Sequence, residues 1–101
     1  MKIREKEVGF LYTVGAVSRY QDWCVANSKS SVFTAQLVEA EFMSRAYAEI
    51  NGTKEFITKD ELDKLMPYEL EDVLKAVKTA KDEGSKRRVT SSEAPKKTDD
   101  Q

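Results

Sequence analysis

The stretch VFTAQLVEAEFMSRAYAEI, residues 32–50, is the longest amphipathic run in the chain and decides the fold. Its apolar side chains recur at steps of three and four residues, which places them on one face of a helix. That first row comprises Phe33, Leu37, Ala40, Met43 or Ser44, Tyr47 and Ile50. A second apolar row, Val38, Phe42 and Ala46, runs beside it. The stripe is wide enough for burial against several neighbours, or for one row to stay free for a partner.

The N-terminal segment before this helix is predicted to form a short β-hairpin. Its first residues carry charges of both signs, and the hairpin is expected to turn near residues 5–7. Residues 8–14 form the better strand, because Val8, Phe10 and Tyr12 fall on one face of an extended chain.

A first helix is predicted over residues 16–27, where apolar residues again recur at three and four. Thr13 is a candidate N-cap for it, because a threonine hydroxyl can accept a free amide at a helix start. The polar, short-chained residues 27–31 then read as a loop. Ser30 or Ser31 is expected to cap the central helix.

A short third helix is predicted after the central one. Asn51 and Gly52 are expected to end the central helix, since both tolerate the left-handed conformation that helix ends require. Thr58 and Glu61 have the spacing of a capping box, in which each residue satisfies the backbone amide of the other. The third helix is therefore expected over residues 59–65.

The last predicted helix covers residues 68–83. Pro67 ends the preceding helix and fits the first turn of the next one. Gly84 is expected to be the C-cap. The side chains expected to face inward are Leu70, Val73, Leu74, Val77 and Ala80.

These elements predict an α+β fold that is mostly α, with a short N-terminal β-hairpin packed on three to four helices. Residues 1–84 are expected to form a single domain. Residues 85–101 contain one valine, one alanine and no other aliphatic or aromatic residue. Because such a segment cannot bury enough surface to offset its ordering entropy, it is predicted to be a disordered polar tail.

The composition narrows the function classes. A chain of 101 residues with 40% hydrophobic and 35% charged residues suits one small domain. Its net charge of −1 disfavours nucleic acid as a partner, because phosphate binding needs clustered positive charge. No apolar run approaches the roughly 18 residues of a membrane span, and the N-terminus MKIREKEV lacks the apolar region of a signal peptide. A soluble cytoplasmic protein is expected.

The residues that usually carry chemistry are missing or poorly placed. The chain has no histidine, which removes the commonest general base and metal ligand. Cys24 lies on the inner face of the first predicted helix, where a buried apolar role is expected. Aligning Glu61 as the last ligand of a calcium loop puts Ile50, Gly52 and Lys54 at positions that need oxygen ligands. We therefore expect no enzyme activity, no cofactor and no metal, and instead a protein that acts by binding.

The opening KEVGFLYTVGAVSRYQDWC, residues 6–24, resembles the start of the small tail assembly chaperones of long-tailed bacteriophages and their prophages. Those proteins begin with a short β-hairpin and a phrase of the type F-T-V-G, followed by a helix with a cysteine or other small residue. They continue as a helical domain and end in a polar, charged tail. The residues that match the opening are Phe10, Thr13, Val14, Gly15, Ala16 and Cys24. Residues 43–70 are similar in style to the later helices of that family.

The resemblance implies a scaffolding function. The chaperone would bind the long, largely helical tape measure protein in the cytoplasm of the bacterial host, keep it soluble, and leave as tail-tube subunits polymerise. The tail tube protein and a second copy of this chain are further candidate partners. A wide apolar helix suits such binding. The candidate contact residues are Phe33, Leu37, Phe42, Met43 and Tyr47.

Two other classes of protein remain open from the sequence. One is a small cytoplasmic regulatory adaptor that binds a single protein partner. The other is a head–tail connector, a structural component of the virion. They differ in where the protein ends up, because a connector stays in the finished particle whereas a chaperone and an adaptor do not.

Overall fold

Two short strands and four helices make up residues 1–86, the part of the chain that the computed structural model describes. In chain order they are β1 (Lys2–Ile3), β2 (Lys6–Glu7), α1 (Val14–Ala26), α2 (Val32–Asn51), α3 (Lys59–Asp63) and α4 (Pro67–Ser85). The mostly helical architecture with an N-terminal antiparallel hairpin confirms the predicted fold class. Helix α4 continues past the predicted domain boundary at residue 84. The predicted disordered tail lies, from residue 87 onward, outside the described residues.

The hairpin is shorter and turns earlier than predicted. Ile3 pairs with Lys6 across a two-residue turn at Arg4 and Glu5. The expected turn near residues 5–7 is therefore wrong, because residues 6 and 7 already belong to the second strand. The backbone of Arg4 has a φ of 56°, the left-handed conformation that lets a two-residue loop match the twist of its strands.

Charged side chains hold the hairpin on the helical part of the domain. The Arg4 guanidinium donates to both carboxylate oxygens of Glu69 on α4, with distances of 2.8 Å. The Lys6 ammonium donates to the Glu61 carboxylate on α3 at 3.0 Å and to the Phe56 carbonyl at 3.1 Å. Charged residues are unusual in a buried strand, but here the charged side chains of Arg4 and Lys6 hold the hairpin in position on α3 and α4.

The hairpin pairing continues to Val8, which exchanges both backbone hydrogen bonds with Met1. Residues 9–13 pair with no strand among residues 1–86, so the predicted second strand over residues 8–14 is wrong. Val8 and Phe10 are nevertheless buried, as their alternation predicts. The segment lies against a helix instead of a strand, since the Leu11 N–H donates to the Met43 carbonyl of α2 at 3.1 Å. Alternation of side chains therefore predicted the buried face correctly and the hydrogen-bonding partner incorrectly.

Side-chain caps start α1 and α2 as predicted. The Thr13 hydroxyl accepts the Ala16 N–H at 3.1 Å, and α1 begins at Val14, two residues before the predicted start. The Ser31 hydroxyl accepts the Thr34 N–H at 3.1 Å, which identifies Ser31 rather than Ser30 as the cap of α2. Each cap joins residues three apart in sequence, so its spacing alone is informative.

The end of α2 and the start of α3 also follow their sequence signals. Gly52 has a φ of 68° and lies directly after the last residue of α2, Asn51. The Thr58 hydroxyl accepts the Glu61 N–H at 3.2 Å, and the Glu61 carboxylate accepts the Thr58 N–H at 3.0 Å. Helix α3 then ends at Asp63, two residues before the predicted end.

The acid stability of the domain should depend on Glu61. Its pKa is lowered by the hydrogen bond from Lys6 first and by the Thr58 N–H second. A lowered carboxyl pKa stabilises the fold above the ordinary value of 4.5, and this contribution is lost as the pH falls through the lower folded value. Glu61→Gln should therefore lower the free energy of unfolding at pH 7 and reduce its further loss between pH 7 and pH 3, as measured by urea denaturation.

The matched control for Glu61→Gln is Asp60→Asn, which removes a charge from the same helical turn. Asp60 is exposed and forms no ion pair with residues 1–86. In Asp60→Asn, the loss of stability on acidification should be close to that of the unmodified protein. If Glu61→Gln and the unmodified chain lose the same stability on acidification, Glu61 does not have the role in acid stability that we assign to it.

Helix α2 is buried on most of its circumference. Its buried side chains are Leu37, Val38, Glu39, Ala40, Met43, Ser44, Ala46 and Ala48. Because α1, α3 and α4 all pack on α2, both apolar rows are covered along the middle of the helix, while Phe33 and Ile50 near its ends are exposed. The expectation that one whole row could stay free is therefore wrong. The Ser44 hydroxyl accepts the Ile57 N–H at 3.0 Å, which holds the chain between α2 and α3 against the helix.

Helix α4 packs through the predicted face but does not end where predicted. Val73 and Val77 are buried, and Leu70, Leu74 and Ala80 are half-buried. Gly84 lies within α4 instead of capping it, and the helix continues to Ser85. A Cβ at Gly84 would lie 2.7 Å from the Cβ of Tyr12 and 2.9 Å from its carbonyl oxygen. This glycine therefore serves a close approach between α4 and the N-terminal segment.

An ion pair links the same end of α4 to the centre of the domain. Glu39 is almost fully buried on α2, and its carboxylate accepts a hydrogen bond from the Lys81 ammonium of α4 at 3.1 Å. The ammonium also lies 5.8 Å from the centre of the Tyr12 ring. Lys81 thus compensates the buried charge of Glu39, which would otherwise be costly to bury.

Candidate protein-binding groove

An apolar groove of about 440 Å³ opens between the start of α2, helix α3 and the first half of α4. Seven of its nine lining residues are apolar: Phe33, Leu37, Leu62, Leu65, Pro67, Leu70 and Leu74. The two others, Asp63 and Glu71, are acidic. We call this feature the α2–α3–α4 groove.

The groove exists because α3 is short. The capping box starts this helix at Lys59, and it ends after five residues at Asp63. Leu62 is its one buried side chain and forms part of the groove floor. The chain then turns and resumes as α4 at Pro67, so the walls from α3 and α4 meet at an angle instead of continuing one helix. An apolar cleft is left between them.

A clamp on Glu69 fixes the turn that forms one end of the groove. The Glu69 carboxylate accepts the Met66 N–H at 3.0 Å as well as both hydrogen bonds from Arg4. The Met66 N–H first, and Arg4 second, lower the pKa of this carboxyl group. The Arg4 guanidinium also reaches the Lys64 carbonyl at 3.4 Å. The hairpin therefore positions the α3–α4 turn.

Exposed apolar side chains lie at the groove and beside groove residues in the sequence. Phe33 lines the groove and is 55% exposed, while Met66 and Tyr68 flank Pro67 and are 55% and 70% exposed. Val32, next to Phe33, is also exposed. Concentrated apolar exposure around a cleft is typical of a binding surface, whereas single exposed apolar residues need no explanation.

The five predicted contact residues do not form one surface. Phe33 lies at the groove wall, and Leu37 lies at the groove floor with 1% of its surface exposed. Met43 is equally buried in the core, where it cannot meet a partner. Phe42 is half-buried against the core, away from the groove. Burial of Leu37 and Met43 corrects their assignment as contact residues.

Tyr47 has a packing role. Its ring covers Gly9, where a Cβ would lie 2.5 Å from the nearest ring carbon. The glycine thus allows the extended N-terminal segment to pass directly under the tyrosine. Tyr47 is half-buried as a result and lies outside the groove.

The sequence interpretation missed Leu65 and Pro67 as groove residues and treated Leu70 and Leu74 only as inward-facing. The available signal was the proline itself. It divides an apolar, helix-forming stretch in two, so leucines before and after the break converge from different helices. Leu65, Leu70 and Leu74 are half-buried instead of fully buried, and this degree of burial could not be inferred from their spacing.

Other potentially reactive groups lie outside the groove. Cys24 on α1 is half-buried, less than predicted. Burial, followed by a hydrogen bond with Cys24, raises the pKa of Tyr20 to about 12. Across residues 1–86, no cluster of three or more acidic, cysteine or histidine side chains could hold a metal ion.

The four helices of residues 1–86 differ in length and in apolar character. Within residues 1–86, none has both the length and the apolar character needed to span one.

Comparisons with known proteins give no relative. Neither protein-family models, nor curated proteins, nor solved structures match this chain.

Proposed function

We propose that this protein is a non-catalytic binding domain that holds a helix of a protein partner in the α2–α3–α4 groove. The observation that carries the proposal is the apolar groove itself, with Phe33 exposed at its wall and half-buried leucines along its sides. Grooves of this kind accept the apolar face of an amphipathic helix, whose anchors recur at three and four residues.

A helix fits this site better than an extended peptide does. An extended peptide binds by adding a strand to a free sheet edge. In residues 1–86 the sheet has two strands of two residues each, and its charged side chains are engaged with α3 and α4. The groove, by contrast, is lined by side chains of α2, α3 and α4, together with Leu65 of the α3–α4 turn. Side-chain packing, and not backbone pairing, is the interaction it offers.

The sequence resemblance supports a specific partner. We propose that the domain is a phage tail assembly chaperone whose client is the tape measure protein, with the tail tube protein as a further contact. A chaperone of this kind acts in the bacterial cytoplasm, covers apolar helical segments of its client, and is displaced as tail-tube subunits polymerise. An apolar groove without a catalytic constellation is compatible with reversible covering of a helical client.

Phe33→Asp tests the groove. Purified protein should form a complex with the proposed client, the tape measure protein, detected by size-exclusion chromatography and quantified by titration. Because Phe33 is exposed, the variant should stay folded. Loss of a buried phenylalanine contact is worth about 1.5–3 kcal/mol, so affinity should fall at least roughly tenfold.

Val25→Asp is the matched control, since Val25 is 82% exposed on α1 and does not line the groove. It should bind like the unmodified protein. Equal binding by Phe33→Asp and Val25→Asp would remove the groove from the proposal. Detection of the protein in finished particles would instead identify a connector, and failure to bind any long helical protein would argue against a chaperone.

A further inference from the structure

The charged residues that line the α2–α3–α4 groove are both acidic, although residues 1–86 carry many lysines and arginines. Asp63 lies on α3 and Glu71 on α4, so the negative charge comes from two walls of the groove. From this we infer that the groove selects an amphipathic helix whose apolar stripe is flanked by lysine or arginine side chains. This inference rests on the proposed function and specifies the chemistry of the partner.

The two lining carboxylates differ in their ion pairs from the neighbouring Glu61 and Glu69. Glu61 and Glu69 are occupied by Lys6 and Arg4 from the hairpin. Glu71 is exposed and has no ion pair within residues 1–86. The hairpin therefore neutralises the acidic groups behind the groove and leaves one that faces it uncompensated.

Asp63 is paired, but the pairing is easily exchanged. Lys59, one turn earlier on α3, donates to its carboxylate at 2.8 Å. This is a local pair between two partly exposed side chains, and such pairs contribute little and are screened by salt. A lysine or arginine from a docked helix can share or replace that contact. Lys59, unlike Asp63, does not line the groove.

A second copy of the chain does not supply the required helix. Its α1 exposes Val14 and Val25, which lie three turns apart on the same face. Between them on that face stand Ser18 and Gln21, so the apolar stripe is interrupted. Helix α4 exposes one large apolar side chain, Tyr68, and so offers no apolar stripe. Another protein is therefore the fitting occupant.

The test uses three helical peptide probes with the same leucine stripe and with lysine, glutamine or glutamate at the flanking positions. Binding to the full chain is measured by fluorescence anisotropy at low and high salt. The lysine probe should bind about tenfold more tightly than the glutamate probe at low salt, with the glutamine probe between them. The difference should shrink at about 0.5 M salt, where screening is strong.

Two variants assign the preference to the groove. Glu71→Lys should abolish or reverse the order of the probes, whereas Glu83→Lys, an exposed site near the far end of α4, should preserve it. If the lysine and glutamate probes bind equally well to the unmodified protein, charge selection is overturned. If Phe33→Asp then weakens the binding of both probes, helix binding in the groove still stands. Failure of all three probes, or binding that Phe33→Asp does not weaken, would overturn the proposed function as well.

Discussion

Leu37→Ala should lower the free energy of unfolding by about 2–5 kcal/mol, because it removes a fully buried leucine from the centre of the domain. Leu37 is 1% exposed and lies in the core cluster of α2. A small domain of this kind has a total stability of only about 5–15 kcal/mol, so the loss is a large share of it. Urea denaturation followed by far-UV circular dichroism measures the change.

Phe33→Ala is the control for Leu37→Ala, one turn earlier on the same face of α2. Its side chain is largely exposed, so we expect a loss below about 1 kcal/mol. The two residues are equivalent in the helical pattern of the sequence and should differ only because α3 and α4 cover one of them. A similar loss of stability in both variants would contradict the burial difference on which the groove is based.

Gly84→Ala should destabilise the protein by about 1–3 kcal/mol, the usual effect of forcing extra atoms into a packed site. Alanine in a helix normally stabilises by up to about 1 kcal/mol relative to glycine, so the expected sign is reversed here. The cause is the N-terminal segment, since the new methyl group would meet the Cβ and carbonyl oxygen of Tyr12 at less than 3 Å. Backbone atoms cannot move aside as a flexible side chain can.

Gly15→Ala provides the contrast, because Gly15 lies in α1 with the end of the flexible Arg19 side chain as its nearest neighbour, at 3.3 Å. It should be neutral or slightly stabilising in the same urea titration. Gly84→Asn separates crowding from a left-handed helix cap. A cap would tolerate asparagine better than alanine, whereas a crowded helical site should be destabilised more by asparagine, the larger side chain. If Gly84→Asn is less destabilising than Gly84→Ala, the crowding explanation is wrong.

Substitutions that change how α4 is held, such as Gly84→Ala, should affect the proposed partner binding as well as stability. The contact at Gly84 and the Glu39–Lys81 pair hold the far end of α4, while the Arg4–Glu69 pair holds its beginning. The groove lies between those anchor points, so its width depends on contacts made outside it. Variants that loosen α4 should therefore weaken partner binding even where no groove residue is changed.

The sequence by itself determined the local features of this protein. The Thr13 and Ser31 caps, the left-handed Gly52 and the Thr58–Glu61 capping box are all confirmed. Each involves groups within a few residues of one another, so its free energy depends on spacing and residue type alone. The apolar period of α2 and the inward face of α4 are readable for the same reason.

Only the tertiary structure decided what each apolar face contacts. Residues 8–13 alternate like a strand, yet beyond Val8 the segment lies against a helix. Alternation specifies a buried side and not a partner. Gly84 has the local signature of a cap, but the approach of Tyr12 gives it a different role. Local sequence contains no information about a segment seventy positions away.

The candidate site, too, could be predicted only in part from the sequence. Of the five residues predicted to contact a partner, Phe33 alone is an exposed part of the groove, while Leu37 and Met43 are core residues. The helical period placed Phe33, Leu37 and Met43 on one face without distinguishing them. Which of them remains accessible depends on how α3 and α4 pack on α2. The hairpin's ion pairs to Glu61 and Glu69 help to position those two helices, and neither contact can be inferred from the pattern of α2.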